Sequence, residues 1–194
     1  PYLIIILSVM AVLGPGLGRT DSAQEFARGV AAAVAAPLLV DADGLNAHAG
    51  RLELFRARDA PTVLTPHEAE LGRLLEVEPE PVAARRVEHV REAAERSGAV
   101  VLLKGDDTIV ALPGGPLAIS PGGTPALATA GTGDVLSGLI GALLAKRMDA
   151  FEAAALGALA PPRREPDGRD SAASRAGRVV RLFLTPRYTH LPPS

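Results

Sequence analysis

Four short apolar runs, at 9–13, 38–40, 62–64 and 99–103, each stop at a glycine-rich or polar cluster, and helix-like periodicity fills the spaces after them. That alternation confines the chain to the α/β class. Short buried strands with helices between them build a largely parallel sheet covered on both faces, and ligands of such sheets bind beyond the carboxyl ends of the strands. The clusters standing at those ends are Gly14-Pro15-Gly16-Leu17-Gly18, Asp41-Ala42-Asp43-Gly44-Leu45-Asn46, Thr65-Pro66-His67-Glu68 and Lys104-Gly105-Asp106-Asp107-Thr108.

The opening run Tyr2–Leu13 is apolar but ends at Gly14-Pro15 and lacks Lys or Arg. It is short of the ~20 residues that span a bilayer and reads as buried strand, with no membrane segment. Thr20 or Asp21 caps a helix over 22–36 with Phe26, Val30, Ala33 and Val34 inward, and Thr65 caps a helix through Leu75 with Pro66 at its first position. A single helix is expected from Pro81 to Arg96, facing inward through Val82, Ala83, Val87, Val90 and Ala94. Residues 108–112 and 117–120 form a hairpin, and a last helix after Gly131-Thr132-Gly133-Asp134 carries a stripe of Val135, Leu136, Leu139, Ile140, Leu143 and Leu144. Residues 1–160 read as the domain. Residues 161–194, rich in Arg and Pro with little apolar periodicity before 179–184, read as a tail of doubtful structure.

At 194 residues the chain has room for one domain, at roughly 100–200 residues each. A net charge of −2 offers no bulk attraction for nucleic acid or an anionic membrane. The absence of cysteine excludes disulfides, thiolate metal sites and cysteine nucleophiles, and is compatible with a reducing, cytoplasmic setting. His48, His89 and His190 share no metal-ligand spacing and are expected on the solvated surface.

The sharpest chemical signal is Gly131-Thr132-Gly133-Asp134 ahead of an amphipathic helix. Glycines let backbone N–H groups converge on an anion, the helix terminus adds favourable partial charge, and Asp134 faces the same place. The same tetrapeptide is also an ordinary capped glycine turn. Lys104–Thr108 offers a charge, backbone and a hydroxyl to phosphate or ribose, or is a plain hairpin connection. His67 at a helix start can donate to a polar ligand, and the dipole there favours its neutral form. Asp41, Asp43 and Asn46 offer hard oxygens for hydrated Mg²⁺ or water, or make an Asx-rich turn.

Taken in order, 14–18, Val40 to Asn46, Leu64 to Glu70, Leu103 to Gly105 and Ala128 to Gly138 resemble the ADP-dependent NAD(P)H-hydrate dehydratases, a branch of the ribokinase-like superfamily. The resemblance covers about Ala11–Ala160. It implies a three-layer α/β/α fold with a mainly parallel central sheet, here incomplete at the ends. It also implies a lyase that repairs the S epimer of hydrated NADH or NADPH: ADP or ATP phosphorylates the ring hydroxyl, and loss of phosphate restores the reduced cofactor. Asp134 then matches the catalytic base and a substrate contact, and the N–H groups of Ala130, Gly131, Thr132 and Gly133 match the anion hole. Lys104, Gly105, Asp106, Asp107, Thr108 and Gly133 match nucleotide-binding positions, and Gly16 and His67 match substrate positions. The implied partners are ADP or ATP with Mg²⁺, hydrated NAD(P)H, a further copy in a homo-oligomer and an NAD(P)HX epimerase.

The chain departs from that pattern in three places. Glu68-Ala69 stand where the family has Pro-Gly, only thirteen residues precede the glycine loop, and an Arg/Pro-rich run follows Ala160. A chain truncated at its N-terminus and divergent at its end is the resulting expectation. Two other functions remain open: a vitamin-precursor or sugar kinase of the same superfamily, and an inactive nucleotide-binding remnant.

Overall fold

The computed structural model describes residues 5–7, 10–120, 132–159 and 182–183. Its strands are β1 (Ile5–Leu7), β2 (Met10–Leu13), β3 (Leu38–Val40), β4 (Thr62–Leu64), β5 (Val100–Leu103), β6 (Thr108–Ala111), β7 (Leu117–Ser120) and β8 (Leu182–Phe183), and they lie in one sheet in chain order. β2 to β5 are mutually parallel, and antiparallel pairs flank them on both sides.

The opening apolar run is two strands rather than one. Ala11–Leu13 already fill the three positions that β3 offers, so the upstream residues pair with the other edge of β2, Ile5 opposite Val12 and Leu7 opposite Met10.

Side chains alternate through the sheet, so each central strand feeds two cores. One contains Leu13, Val40, Leu64, Val101 and Leu103 under α1 (Asp21–Ala33), α3 (Glu68–Leu75) and α5 (Arg86–Ser97). The other contains Met10, Leu39, Val63, Val100 and Leu102 under α6 (Thr132–Ala145) and α7 (Ala150–Leu159). The result is the expected three-layer arrangement.

Helix faces differ in detail from the periodicity. Thr20 caps α1 through Oγ1, which accepts from Ala23 N at 3.3 Å, but the buried stripe is Ala23, Ala27 and Ala31 while Phe26 is 47% exposed. Small side chains let the helix axis approach the core closely, which turns the large ring outward. The helix expected over 81–96 is broken at Arg85 into α4 (Pro79–Ala84) and α5. On one straight helix Val82 and Val90, eight residues apart, would stand about 80° apart around the axis, at the two margins of the inward stripe. The break lets both bury fully and leaves Val87 exposed. In α6 the contact is narrower than its apolar stripe: Ile140 and Leu144 are buried, Val135 and Leu139 exposed.

His48 and His89, expected at the surface, are both buried. His48 Nδ1 lies 2.8 Å from the Gly44 carbonyl and its ring 4.4 Å from that of Phe55. A carbonyl only accepts, so Nδ1 carries the proton. Burial is the main cause that lowers the His48 pKa below its ordinary 6.5. Because the unfolded chain then binds the proton more readily, the stability His48 contributes is present above about pH 6.5 and is lost as pH falls below it. Urea melts from pH 7.5 down to 5 are expected to show that decline, and His48→Gln, which does not titrate, is expected to flatten it. An unchanged slope in the variant would assign the decline to other groups.

Candidate active site

The ends of β2, β3, β4 and β5 stand side by side, so the clusters that follow them share one edge of the sheet. The first two interlock through backbone. A Cβ on Gly14 (φ 143°) would lie 1.7 Å from the Asp41 carbonyl oxygen, and one on Gly44 would lie 2.6 Å from that of Leu13. Asp41 N donates to Leu13 O at 2.9 Å. Gly16, by contrast, has φ 74° but is exposed with open space where a Cβ would go. Gly14→Ala is therefore expected to cost about 3 kcal/mol, the upper end of overpacking penalties. Gly16→Ala should cost only the left-handed backbone term of ~1–2 kcal/mol. Urea midpoints of the two variants check the order, and equal losses would contradict it.

The Asp41–Asn46 segment is not an open turn. Asp41 caps a short helix, α2 (Ala42–Asn46), whose first residue has φ 48°, a conformation that costs a non-glycine residue ~1–3 kcal/mol. The kink sends the two carboxylates to different partners. Asp41, 3% exposed, accepts at Oδ1 from Ala42 N (2.9 Å) and Lys104 Nζ (2.8 Å), and at Oδ2 from Ser137 Oγ (2.8 Å). Asp43 accepts at Oδ2 from Gly18 N (3.0 Å) and at Oδ1 from Arg19 Nε (3.3 Å). Lys104 Nζ is also 3.8 Å from Glu70 Oε2.

His67, not Thr65, caps α3. Thr65 is fully buried, and its Oγ1 donates to Val40 O at 3.3 Å. His67 Nδ1 accepts from Ala69 N (3.1 Å) and Glu70 N (3.3 Å), while Glu70 Oε2 accepts from His67 N at 2.9 Å, a reciprocal capping box. The neutral ring thus has its proton on Nε2, 3.4 Å from Glu70 Oε1. Burial is the largest cause holding the His67 pKa below 6.5. Glu70 acts against that shift, and the Lys104 charge adds to it.

At the end of β5, Asp106 and Asp107 are exposed, while Thr108 is buried in β6 opposite Ser120. Arg86 lies against this segment: its Nη2 donates to Lys104 O at 3.2 Å and sits where a Cβ on Gly105 would fall. Its Nε pairs with Glu68 Oε1 at 3.0 Å, at an angle that makes an ion pair without a hydrogen bond. Ala130 and Gly131 lie outside the described residues. Thr132 opens α6, and a Cβ on Gly133 would be 3.8 Å from Asp41 Oδ2. Asp134 is exposed in the first turn of α6, one turn before Ser137.

Around Asp41 the edge brings together Lys104 and Gly133, with His67 reached through Glu70, while Gly16 and Asp134 stand exposed on the glycine loop and the first turn of α6. Three further residues belong with them. Glu70 has a sequence signal, an acid at the third position after a helix cap; Ser137 lies within the Ala128–Gly138 run but with no role of its own assigned there, and Arg86 has no signal. A surface cavity of about 330 Å³ lined by Ala69, Gly72, Arg73 and Glu76 opens beside α3 and contains none of the residues in this group.

A resident Mg²⁺ does not fit these side chains. Both Asp41 oxygens are already engaged, and among the described residues no three His, Asp or Glu side chains come close enough to hold a metal. Mg²⁺ is commonly held by phosphates, water and one or two carboxylates, a set that these side chains alone do not supply.

The NAD(P)H-hydrate dehydratase family model matches residues 6–163. The bifunctional NAD(P)H-hydrate repair enzyme of Mycobacterium tuberculosis is 46% identical over 144 residues, which are 74% of this chain and 30% of that protein. The ADP/ATP-dependent NAD(P)H-hydrate dehydratase of Bacillus subtilis, co-crystallised with ATP/Mg²⁺, superposes with a TM-score of 0.67 at 35% identity, covering 77% of this chain and 52% of that one. A ribokinase-like superfamily protein of Enterococcus faecalis gives a TM-score of 0.61 at 26% identity over 77% of this chain and 51% of its own. The chain therefore spans about 30% of the bifunctional relative and about half of the structural ones. With its ribokinase-like fold and a family match that runs through every cluster on the sheet edge, the chain belongs to the NAD(P)H-hydrate dehydratase family.

Proposed function

We propose that this chain carries the dehydratase activity of its family: ADP- or ATP-driven conversion of the S epimer of hydrated NADH or NADPH to NADH or NADPH. Asp134 takes the proton from the ring hydroxyl, whose oxygen attacks the terminal phosphorus of ADP and releases AMP. Loss of the transferred group as phosphate, together with a ring proton, then restores the reduced nicotinamide. N–H groups of residues 130–133 steady charge on the moving phosphoryl group, Lys104–Thr108 hold the adenine nucleotide, and Gly16 and His67 hold the hydrated ring. His67 suits that place because its one proton is on Nε2, the nitrogen not committed to the helix cap. Mg²⁺ enters on the phosphates, and no step assigned to the protein's side chains passes through it.

One observation carries the reading. Asp41 bonds to both Lys104 and Ser137, so the first turn of α6, with Asp134, is held against the strand end that begins the nucleotide segment. A base and a phosphoryl donor need that proximity. The epimerase and homo-oligomer partners and a cytoplasmic location are part of the same proposal. Among the described residues, no helix is long and apolar enough to cross a membrane.

The test is to incubate the chain with ADP, Mg²⁺ and hydrated NADH and to follow AMP, phosphate and absorbance of the reduced ring. Equal amounts of AMP, phosphate and NADH support the dehydratase. A phosphorylated product that persists would support the kinase alternative, and failure of both turnover and nucleotide binding would support the inactive remnant.

A further inference from the structure

We propose that Asp43 is a positioning residue for the substrate half of the site, and that it holds the glycine loop in the shape that presents Gly16. The inference rests on the dehydratase reading for the identity of the substrate, but its geometry stands apart from it. The loop from Gly14 to Arg19 leaves the end of β2 with Leu17 buried in the core and Arg19 O accepting from Gln24 Nε2 at 3.1 Å, and two further contacts shape the part around Gly16. One is the backbone packing of Gly14 on the Asp41 carbonyl, with Leu17 N donating to Gly14 O at 3.2 Å. The other is the Asp43 carboxylate, which accepts from Gly18 N at 3.0 Å and Arg19 Nε at 3.3 Å. Gly16 itself is exposed, has φ 74° and, among the described residues, has no neighbour within 4 Å of its missing Cβ position, so it is positioned through its chain neighbours, the buried Leu17 among them. Asp43 closes the far side.

The neighbouring carboxylate has the opposite assignment. Asp41 is committed to Lys104 and Ser137, on the nucleotide and phosphoryl-transfer half. Ala42, at φ 48°, is the hinge that points two acids, two positions apart in sequence, at two different subsites. Substitutions at Asp43 should therefore act on binding of the hydrated ring and leave the nucleotide alone, a division that general loss of stability would not produce.

The experiment uses the full chain with Asp43→Asn, which keeps one acceptor oxygen, and Asp43→Ala, which keeps none. In Asp43→Ala, KM for hydrated NADH is expected to rise about tenfold, the lower range for a charge-assisted hydrogen bond. KM for ADP and kcat are expected to stay within about twofold, and Asp43→Asn should fall between Asp43→Ala and wild type. Loop order is read independently by the rate of tryptic cleavage after Arg19, which should rise in the same order. Unchanged cleavage in folded Asp43→Ala overturns the proposal whether or not the chain turns over. A rise in KM for ADP instead, or equal rises for both substrates, also overturns it. Faster cleavage in a chain that has no dehydratase activity overturns the functional reading and leaves Asp43 as the residue that positions this loop.

Discussion

Asp134→Asn is expected to lower turnover of hydrated NADH by about 10²–10⁴, the range for loss of a general base, while ADP affinity stays unchanged. Asp134 is exposed at the first turn of α6, and among the described residues none of the hydrogen bonds or ion pairs that shape the site uses its carboxylate. Loss of its charge should change stability by no more than the ~0.3–1 kcal/mol of a helix-terminus interaction. A large kinetic loss with a nearly unchanged melt is therefore the signature of the base, and steady-state kinetics beside calorimetric titration with ADP reads both. Turnover equal to wild type would remove Asp134 from the role. A parallel loss of ADP affinity would move it to nucleotide binding.

Lys104→Met should have the largest effect on stability of any single polar substitution at this edge. The ammonium lies between Asp41, 3% exposed, and Glu70, 6% exposed, so its removal leaves two buried carboxylates facing each other without a cation. Removing one partner of a buried pair typically costs about 3–5 kcal/mol, and the lower end applies because Asp41 retains its bonds from Ala42 N and Ser137 Oγ. About 3 kcal/mol is a large share of the ~5–15 kcal/mol by which a domain is stable. Urea unfolding at pH 7.5 measures the loss. The double variant Lys104→Met/Asp41→Asn, which also removes the stranded charge, should regain a good part of it. A single variant as stable as wild type, or a double variant whose losses simply add, would show that the pair is not coupled.

Much of the layout was legible because it is encoded locally. A strand of three or four apolar residues ending in Gly-Pro, Asp-Ala-Asp, Thr-Pro-His or Lys-Gly announces its own termination, and these clusters duly stand at the ends of β2 to β5. Of the two caps that the sequence offers for α1, Thr20 and Asp21, the structure uses Thr20, and the β6–β7 hairpin followed from the same local chemistry. The cap of α3 was missed by two positions because Thr65 looks the better cap, yet its hydroxyl is drawn into the core by the Val40 carbonyl, which leaves His67 to close the helix. Similarly, the break at Arg85 and the alanine face of α1 answer to what the helices pack against, which periodicity along one helix does not contain.

The sequence by itself determined the class, the order of strand, cluster and helix, and the residue types available at the sheet edge, because each depends on neighbours within a few positions. Only the tertiary structure decided their partners. Asp41 meets Lys104 across 63 positions and Ser137 across 96, and those meetings exist because β3, β4 and β5 are adjacent in the sheet and α6 packs on its second face. The same fact buried His48 and His89 and turned Asp41 and Asp43 to different partners. The reason is physical: a side chain's local propensity depends on its covalent surroundings. Its burial and its ion pairs depend on which strands lie side by side, and that is set by the packing of the whole sheet.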